Sequence, residues 1–501
     1  MNELRIGQAD YERLNAYLFP GDHDEHGAIL LAGEHPCTNG GSLLTVREVH
    51  LLANEEFPPG NQGYRQLAAT ALARLGNRAA DEGLALISTH SHPGSRDRTG
   101  LSHDDLAAHE RLFGHLLDIT DARVVAGVAF GEHSAAGEIW TRDGRRNPLG
   151  QVRIVGSTID FLYEGPRDND SSFRKRFDRQ IRLFGEVGQA RLRALNVAVV
   201  GAGGGGSILI EQLAHLGVGK LTIIDPDVVK THNLSRIMGA NDGDARLATK
   251  KVKVAARNVI HIDPTIQIEA IDGDIADLGV VEQLIACDFI FLATDTVTAR
   301  LVANATAQSF LIPMVQIGAK VDTNLAGEIE QIYTAVRPVL PRRGCLSCAG
   351  LISPEALQRE VASPEEAANQ NYLGTEEVID PSVTTLNAAA AAGALNVFLM
   401  TMIGQASDTL VEHRITLTRE GTTIQLQTER KADCRWCGEQ SASRYARADL
   451  ALLPCRPTAM PPHPRHTRRR SALKRLFGSS MSRRHTKRKP RPGGSYPARQ
   501  A

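Results

Sequence analysis

The sequence lacks the features of membrane and secreted proteins. No run of about 18 apolar residues occurs that could cross a bilayer as a helix. The first residues, MNELRIGQAD, contain no apolar segment of the kind that signals secretion. These absences exclude a membrane partner and a secretory route, and we expect a cytoplasmic, globular protein.

Cysteine is also scarce, with seven residues in 501. Four of them form two CxxC pairs, and residues 349–433, which separate the pairs, contain none. In a chain without an export signal, this pattern favours metal binding over disulfide bonds.

The chain has no net formal charge, but its charges are unevenly distributed. From Arg456 to the last residue there are fourteen Lys or Arg and no Asp or Glu, so the preceding part is net acidic by the same amount. This basic segment is rich in Pro, Ser and His, and we predict that it is disordered. Because aromatic residues are not interleaved in it, we expect only weak, non-specific binding to nucleic acid.

A length of 501 residues accommodates two or three domains. Short apolar segments and helical patterns alternate over residues 1–162, which predicts an α/β domain. A polar stretch at 163–172 is the best linker. Strands and helices then alternate regularly over 173–440, which predicts a Rossmann-like, doubly wound parallel sheet. Residues 441–501 form the predicted basic tail.

Two histidines and an aspartate have the spacing of a metal site. His90 and His92 lie at the end of an apolar segment, and a β-strand would point both imidazoles to the same face. Asp105 follows Ser102 by three residues, at the start of a helical pattern. A catalytic Zn²⁺ needs about three protein ligands and an open position for water. These three side chains supply that number.

The motif His90-x-His92-Pro with Ser102-x-x-Asp105 resembles that of the JAMM/MPN metalloprotease family. The resemblance implies a zinc-dependent peptidase or isopeptidase in which Ser102 helps to stabilise the oxyanion and an upstream glutamate acts as general base. Glu25 is the best match for that glutamate, although the glycine that usually follows it by three residues is an alanine here. Two other interpretations stay open: Ser102-x-x-Asp105 also fits a helix capping box, and inactive MPN domains exist.

A glycine-rich turn marks the second domain. Gly201, Gly203 and Gly206 follow an apolar strand pattern and precede a helical one, an arrangement that brings phosphate groups close to the backbone at a helix N-terminus. Asp225 ends the next strand pattern, where a carboxylate can bind a ribose hydroxyl. On these residues alone, an NAD-dependent dehydrogenase would be the default interpretation.

Further charged and polar residues favour a different chemistry. In chain order they are Arg179, Asp225, Asp227, Asn233, Arg236, Lys251 and Asp295. In this order and spacing, residues from about 173 to 440 resemble the MoeB/ThiF and ubiquitin-activating enzyme family. The resemblance implies an adenylyltransferase that uses ATP and Mg²⁺ to activate the C-terminal carboxylate of a ubiquitin-like or sulfur-carrier protein ending in Gly-Gly.

The resemblance also assigns roles. The implied nucleotide-binding set is Gly201, Gly203, Gly206, Asp225, Asp227, Asn233, Arg236, Lys251 and Asp295. Asp225 would hold the ribose. Arg236 and Lys251, assisted by Asn233, would hold the phosphates, and Asp295 would hold Mg²⁺. Charge compensation of a polyanion and in-line positioning are the physical basis of such a site.

Two positions need separate comment. Arg179 would reach across a subunit interface to the neighbouring ATP, which implies a homodimer. Lys250 is an alternative to Lys251, and the spacing to Asp263 favours Lys251.

The two CxxC pairs complete the resemblance. They are Cys345 with Cys348 and Cys434 with Cys437. Four thiolates in two such pairs form a structural zinc site, in which no coordination position is open for chemistry. The same closure occurs in MoeB/ThiF relatives.

One expected residue is missing. Ubiquitin-activating enzymes usually carry a catalytic cysteine after the first CxxC pair, and this chain has none there. Cys455, next to the basic tail, is the only candidate for a mobile thioester thiol. The chain therefore either stops at the adenylate or passes the activated tail to a cysteine of a partner such as a conjugating enzyme.

Together the two signatures predict a bifunctional enzyme of the kind found in bacterial ubiquitin-like conjugation operons. The first half would trim or deconjugate a carrier protein, and the second would adenylate its terminal glycine. The alternative is sulfur-carrier activation, with the first half maturing the carrier. A nucleic-acid-associated scaffold with two inactive domains is a third hypothesis.

Overall fold

Two β-sheets organise the part of the chain that the structure describes. The structure is a computed structural model, and it describes residues 2–38, 40–53, 56, 69–165, 174–324, 328–361 and 382–457. Most of the predicted linker and the basic segment from 458 onward lie outside these residues.

The first sheet contains nine strands in the described residues. They are β1 (Glu3–Gly7), β2 (Gly27–Pro36), β3 (Ser42–Leu51), β4 (Ala85–Ser91), β5 (Val124–Phe130), β6 (Ala135–Thr141), β7 (Arg146–Pro148), β8 (Gln151–Val155) and β9 (Ile159–Leu162). Their order across the sheet is β7-β6-β5-β4-β2-β3-β1-β8-β9. Three helices accompany them, α1 (Gln8–Leu18), α2 (Ala69–Glu82) and α3 (His103–Thr120).

The second sheet has eight described strands. They are β10 (Asn196–Val200), β11 (Lys220–Ile224), β12 (Gln267–Ile271), β13 (Phe289–Leu292), β14 (Met314–Thr323), β15 (Ile329–Val339), β16 (His413–Leu417) and β17 (Thr422–Leu426). Their order is β12-β11-β10-β13-β14-β15-β16-β17. The first five are parallel, which confirms the predicted doubly wound sheet, and the other three extend it antiparallel.

Eight helices surround this second sheet in the described residues. They are α4 (Arg174–Ala194), α5 (Gly204–Leu216), α6 (Asp242–Arg246), α7 (Lys251–Ile262), α8 (Leu278–Ile285), α9 (Val297–Ser309), α10 (Pro354–Val361) and α11 (Thr384–Met402). Strand β10 shows how they cover both faces. Val197 and Val199 pack with residues of α5 and α11, whereas Ala198 and Val200 pack with residues of α8 and α9. A strand that is buried on both faces reads as a continuous apolar run, as the sequence does here.

The turn between β10 and α5 depends on two glycines. Gly201 has a φ of +95°, and a Cβ there would lie 2.7 Å from the carbonyl oxygen of Ala293. A Cβ on Gly206 would lie 1.7 Å from the carbonyl oxygen of Gly201. The close approach of helix and strand therefore allows no side chain at either position.

Buried arginines join the two sheets. Arg153 on β8 pairs with Glu3 on β1 at 2.7 Å and with Asp288, which precedes β13. Arg5 on β1 donates to the carbonyl oxygen of Phe310, just after α9, at 2.9 Å. Both arginines are only 2% exposed. Because an unpaired charge would be costly at this depth, these contacts fix the first sheet on the second.

A C-terminal strap, residues 440–457, lies between the two halves. Thr45 Oγ1 on β3 donates to the carbonyl oxygen of Ala446 at 3.0 Å. The backbone nitrogen of Ala446 in turn donates to the carbonyl oxygen of Gln308 on α9 at 3.0 Å. The predicted tail therefore does not begin at 441. Composition could not indicate this, because the strap is held through its backbone.

Helix α11 is long and apolar enough to cross a membrane, judged by length and composition alone. Half of its apolar window is buried inside the protein. It packs on α5, β14 and β15, as a core helix does.

Candidate functional site

The carboxyl ends of β10 and β11 bring the glycine turn and Asp225 together. Asp225 Oδ2 accepts a hydrogen bond from the backbone nitrogen of Ala202, within the turn, at 2.7 Å. Its Oδ1 accepts from the backbone nitrogen of Asp227 at 2.8 Å. Asp225 is buried and Asp227 is exposed. The buried carboxylate is thus fixed beside the N-terminus of α5, where an anionic ligand is favoured.

Lys251, at the start of α7, points toward the same carboxylates. Its Nζ lies 2.7 Å from Asp227 Oδ2 and 3.8 Å from Asp225 Oδ1. Lys250 instead donates to the carbonyl oxygen of Pro226 at 2.7 Å. Of the two lysines, Lys251 is therefore the one that lies against Asp225.

Asn233 and Arg236 follow on one short segment. Asn233 is buried, and its Oδ1 accepts from the backbone nitrogen of Lys230 at 3.0 Å. Arg236 Nη1 donates to the carbonyl oxygen of His232 at 2.8 Å. A Cβ on Gly204 would lie 3.2 Å from Arg236 Cδ. Arg236 therefore covers the N-terminus of α5. The hydrogen bond that Asn233 accepts from Lys230 stabilises the turn between these two residues.

Asp295 and Arg179 stand apart from these residues. Asp295 is exposed in the connection between β13 and α9, and Arg179 is exposed on α4. Among the described residues, neither side chain forms a hydrogen bond or an ion pair. The structure thus brings most of the predicted nucleotide set together and leaves these two free.

One residue of this region was not predicted. Asn387, in the first turn of α11, places Nδ2 2.5 Å from where a Cβ on Gly204 would lie. It therefore flanks the N-terminus of α5 together with Arg236. The available signal was an amide at the start of an alanine-rich, apolar helix.

The four paired cysteines converge. The Sγ–Sγ distances are 3.9 Å for Cys345–Cys348, 3.7 Å for Cys345–Cys434 and 3.4 Å for Cys348–Cys437. Four sulfurs around zinc lie about 3.8 Å apart, because Zn–S bonds are about 2.3 Å and tetrahedral. The hydrogen bond from Cys345 lowers the pKa of Cys348 to about 6. The cluster packs on the α8 and α9 face of the sheet and fits a structural zinc ion.

A second cluster lies in the first half of the chain. His90 Nε2 is 3.0 Å from His92 Nε2 and 3.1 Å from Asp105 Oδ1, and His92 Nε2 is 3.4 Å from Asp105 Oδ2. Ligand atoms of a tetrahedral Zn²⁺ lie about 3.3 Å apart for bonds of about 2.0–2.1 Å. The three side chains thus already have the spacing of three zinc ligands.

Sheet register places Glu25 near this cluster. His90 on β4 pairs with Gly27 on β2, two residues after Glu25. Burial raises the pKa of Glu25, and the neighbouring His90 and His92 partly offset that rise. The hydrogen bond to Asp105 raises the pKa of His92. The four predicted side chains therefore share one local electrostatic environment.

Ser102 is the N-cap of α3. Its Oγ accepts from the backbone nitrogen of Asp105 at 3.1 Å, and its own backbone nitrogen donates to Asp105 Oδ2 at 2.7 Å. The capping-box interpretation is therefore confirmed. It does not compete with the metal interpretation, because the same box aims Asp105 Oδ1 at His90.

Comparisons with known proteins separate the two halves. A family model described as "ThiF family" matches residues 177–436, just over half of the chain. This chain belongs to the ThiF family. The ThiF domain holds the glycine turn, the charged set and the cysteine cluster, whereas the cluster of His90, His92 and Asp105 lies outside the match.

Two curated relatives resemble the ThiF domain. The SAMP-activating enzyme E1 of Haloferax volcanii is 28% identical over 272 residues, which are 54% of this chain and 91% of that protein. The molybdopterin-synthase adenylyltransferase of Haemophilus influenzae is 32% identical over 190 residues, 36% of this chain and 76% of that protein. A solved structure of Escherichia coli MccB aligns with 54% of this chain and 74% of the MccB chain. The sequence identity is 20% and the TM-score is 0.44. The family match and the two curated relatives show that the ThiF domain is a ThiF/MoeB-like adenylyltransferase domain.

Cys455 lies at the edge of the ThiF domain. Burial raises its pKa to about 11, and Asp277 adds to the rise. The next residue, Arg456, donates its backbone nitrogen to the carbonyl oxygen of Ala276 at 2.7 Å. Cys455 is therefore half-buried beside a hydrogen-bonded residue, and its role as a thioester thiol stays a prediction.

Proposed function

We propose that the ThiF domain adenylates the C-terminal glycine of a ubiquitin-like or sulfur-carrier protein, using ATP and Mg²⁺. Family membership supports the reaction class, and the convergence of the glycine turn, Asp225, Lys251 and Arg236 supports the nucleotide site. A carboxylate oxygen of the carrier attacks the α-phosphorus, the bond from that phosphorus to the bridging oxygen breaks, and pyrophosphate leaves.

The residues take the following roles in this proposal. Asp225, fixed by two backbone nitrogens, accepts hydrogen bonds from the ribose hydroxyls. Lys251 and Arg236 offset phosphate charge from the two sides of the glycine turn. Asp295 holds Mg²⁺ near the reacting phosphate. The exposed Arg179 reaches the site of a second subunit, so we further propose a homodimer.

The test is ATP–pyrophosphate exchange in the full chain, with a panel of carrier proteins ending in Gly-Gly. We expect carrier-dependent exchange in the wild type and a loss of at least about 100-fold in Asp295→Ala, because a removed transition-state contact typically costs that much. His92→Ala serves as the matched control, because it alters a site outside the ThiF domain. Exchange that persists unchanged in Asp295→Ala would overturn the assigned site.

We also propose that the first half is a JAMM-type metallopeptidase that trims or deconjugates the same carrier. The pre-set spacing of His90, His92 and Asp105 is the observation that supports it most. A Zn²⁺ on these residues would lower the pKa of its bound water and polarise the scissile carbonyl. Glu25 takes the proton from the attacking water and returns it to the leaving amine. The Ser102 hydroxyl, free to donate, stabilises the developing oxyanion.

The peptidase proposal is tested by mass spectrometry of carriers extended beyond Gly-Gly and of carrier–lysine conjugates. We expect cleavage after the terminal glycine in the wild type and none in Glu25→Gln or His92→Ala. Asp295→Ala is the control that retains cleavage. Carriers and conjugates that stay intact with the zinc-loaded wild type would reject a competent peptidase.

The proposal includes two kinds of carrier, a ubiquitin-like protein and a sulfur-carrier protein. The half-buried Cys455 and the absence of cysteine from 349–433 favour release at the adenylate stage. Ubiquitin-like conjugation then requires a partner's cysteine, such as that of a conjugating enzyme, whereas sulfur-carrier activation requires a sulfur donor. Gel analysis for a reducible carrier–enzyme adduct tests release at the adenylate: any such adduct, whether it is lost in Cys455→Ser or with another cysteine, would contradict it.

A further inference from the structure

Two partly buried arginines of the ThiF domain lie near each other, and neither pairs with an acidic side chain among the described residues. Arg300 is on the first turn of α9, and Arg337 is on β15. Among the described residues, neither guanidinium lies within ion-pair distance of a carboxylate, and the buried Nε of Arg300 has no hydrogen-bond partner. Arg337 Nη1 donates to Gln316 Oε1 at 2.7 Å. Burial lowers the pKa of Arg337, and the nearby charge of Arg300 lowers it further.

Sheet register locates these arginines beside the proposed nucleotide site. Gln316 on β14 is the direct cross-strand partner of Arg337 and also of Leu292, the last residue of β13. Asp295 follows Leu292 by three residues, and Arg300 follows Asp295 by five. The arginines therefore lie at the same edge of the sheet as Asp295.

The order of groups along this edge indicates what the arginines bind. Asp225 follows β11, the glycine turn follows β10, and Asp295 follows β13. Arg300 and Arg337 come next, on the opposite side of Asp295 from Lys251. Lys251 and Arg236 already lie at the glycine turn, where the phosphates would bind. Arg300 and Arg337 are therefore left to compensate a second negative charge, on the β14 side.

Two like charges that are half-buried together destabilise the unliganded protein unless an anion compensates them. A planar guanidinium donates two parallel hydrogen bonds to a carboxylate, which makes arginine suited to hold one in a fixed orientation. The acyl substrate of an adenylation reaction enters as a carboxylate. Its charge and shape match the pair.

We propose that Arg300 and Arg337 bind the C-terminal carboxylate of the carrier protein and present it to the α-phosphorus. This proposal rests on the proposed adenylation. In this step a carboxylate oxygen forms the new bond to phosphorus, and the electron pair of the broken bond leaves with pyrophosphate. Gln316 orients Arg337 through its hydrogen bond and acts as a positioning residue.

The test compares Arg337→Gln and Arg300→Gln with the wild type in ATP–pyrophosphate exchange, using the full chain and the carrier that supports exchange. We expect the KM for the carrier to rise at least about 10-fold, the value of one lost charge-assisted hydrogen bond, with the KM for ATP changed less than about twofold. Arg337→Lys should recover part of the loss. Arg414→Gln is the matched control, because Arg414 is a half-buried arginine on the adjacent strand β16 that donates to the carbonyl oxygen of Gly393.

A second measurement identifies the carboxylate. A synthetic peptide of the carrier's tail should inhibit exchange as the free acid and far less as the C-terminal amide, and Arg337→Gln should abolish that difference. Equal inhibition by acid and amide in the wild type would overturn the proposal, as would a rise confined to the KM for ATP. If Arg337→Gln does not fold, the same comparison is made with Arg300→Gln. No exchange by the wild type with any carrier would instead reject the adenylation on which the proposal rests.

Discussion

The two polar sites of this chain differ in how complete they are without a ligand. In the first half, His90, His92 and Asp105 already touch one another at zinc-ligand spacing. In the ThiF domain, Asp225 and Lys251 lie together, whereas Asp295 and Arg179 remain exposed and unpaired among the described residues. A single metal ion needs its ligands close together. The end of β4 and the start of α3 hold these three ligands close together without the ion. A nucleotide and a carrier tail extend along a sheet edge, so their site is completed by the substrates.

The largest expected effect comes from removing a ligand of a metal cluster, and it differs between the two regions. Cys437→Ala should abolish folding of the ThiF domain, because a structural zinc contributes of the order of 10 kcal/mol to folding. His92→Ala should lose only the zinc of the first cluster and keep the fold. Zinc content by mass spectrometry and circular dichroism report both outcomes. Cys287→Ala, a buried cysteine outside the cluster, is the control. A folded, zinc-loaded Cys437→Ala would show that the four thiols are not a zinc site.

The next effect concerns the junction between the two regions. Arg153→Met should destabilise the chain by about 3–5 kcal/mol, because it leaves Asp288 without its ion-pair partner and removes one of the two arginines that pair with Glu3. Urea unfolding measures the change. The control is Arg145→Met, which breaks an exposed pair with Asp143 and should leave the unfolding midpoint unchanged. Equal effects of the two substitutions would show that the junction does not depend on its buried charges.

A smaller, pH-dependent effect sharpens the contrast between histidines of the two regions. The hydrogen bond to Asp105 raises the pKa of His92, whereas burial, with the charge of Arg337, lowers that of His413 to about 4. A folded-state value below the unfolded value of 6.5 means that the unfolded chain binds the extra proton first. The contribution of His413 is therefore fully present above pH 6.5 and is lost as the pH falls toward 4, by at most about 3 kcal/mol.

Urea unfolding between pH 7 and 4 measures this contribution as a difference between the wild type and His413→Gln. The wild type should lose more stability than the variant over that range. His232→Gln, at an exposed position, is the control that keeps the wild-type slope. Parallel slopes for wild type and His413→Gln would contradict a buried neutral imidazole.

The smallest effect separates two roles of one residue in the first cluster. Ser102→Ala should cost about 1 kcal/mol through loss of the N-cap of α3, whereas Ser102→Gly should cost only a few tenths. Both should lose the proposed oxyanion contact. Thermal unfolding and carrier cleavage, measured on both variants, distinguish the roles. Cleavage that recovers in Ser102→Gly together with stability would mean that Ser102 acts only as a cap.

Sequence patterns predicted the features that are determined by residues close together in the sequence. The strand–glycine–helix unit at Gly201 follows from backbone sterics that only glycine satisfies. The convergence of His90 with His92 follows from strand alternation, and Asp105 joins them through the capping box that the spacing to Ser102 indicated.

Contacts between distant segments gave no such signal. Arg337 meets Arg300 only because β15 returns antiparallel beside β14. Asn387 reaches Gly204 from a helix 183 residues further along the chain. The strap at 440–457 is held by backbone carbonyls, which every residue carries. Composition therefore placed it with the tail that we predicted to be disordered.

The strap also has a consequence for how this chain can evolve by recombination. Its backbone is bonded to β3 of the first half and to α9 of the ThiF domain, yet Ala446 follows Thr45 by 401 residues. Recombination that exchanged the codons of residues 1–165 for those of another lineage would separate β3 from the segment that packs against it. The two halves are therefore expected to evolve as one hereditary unit, and their residues at this shared interior should change in concert.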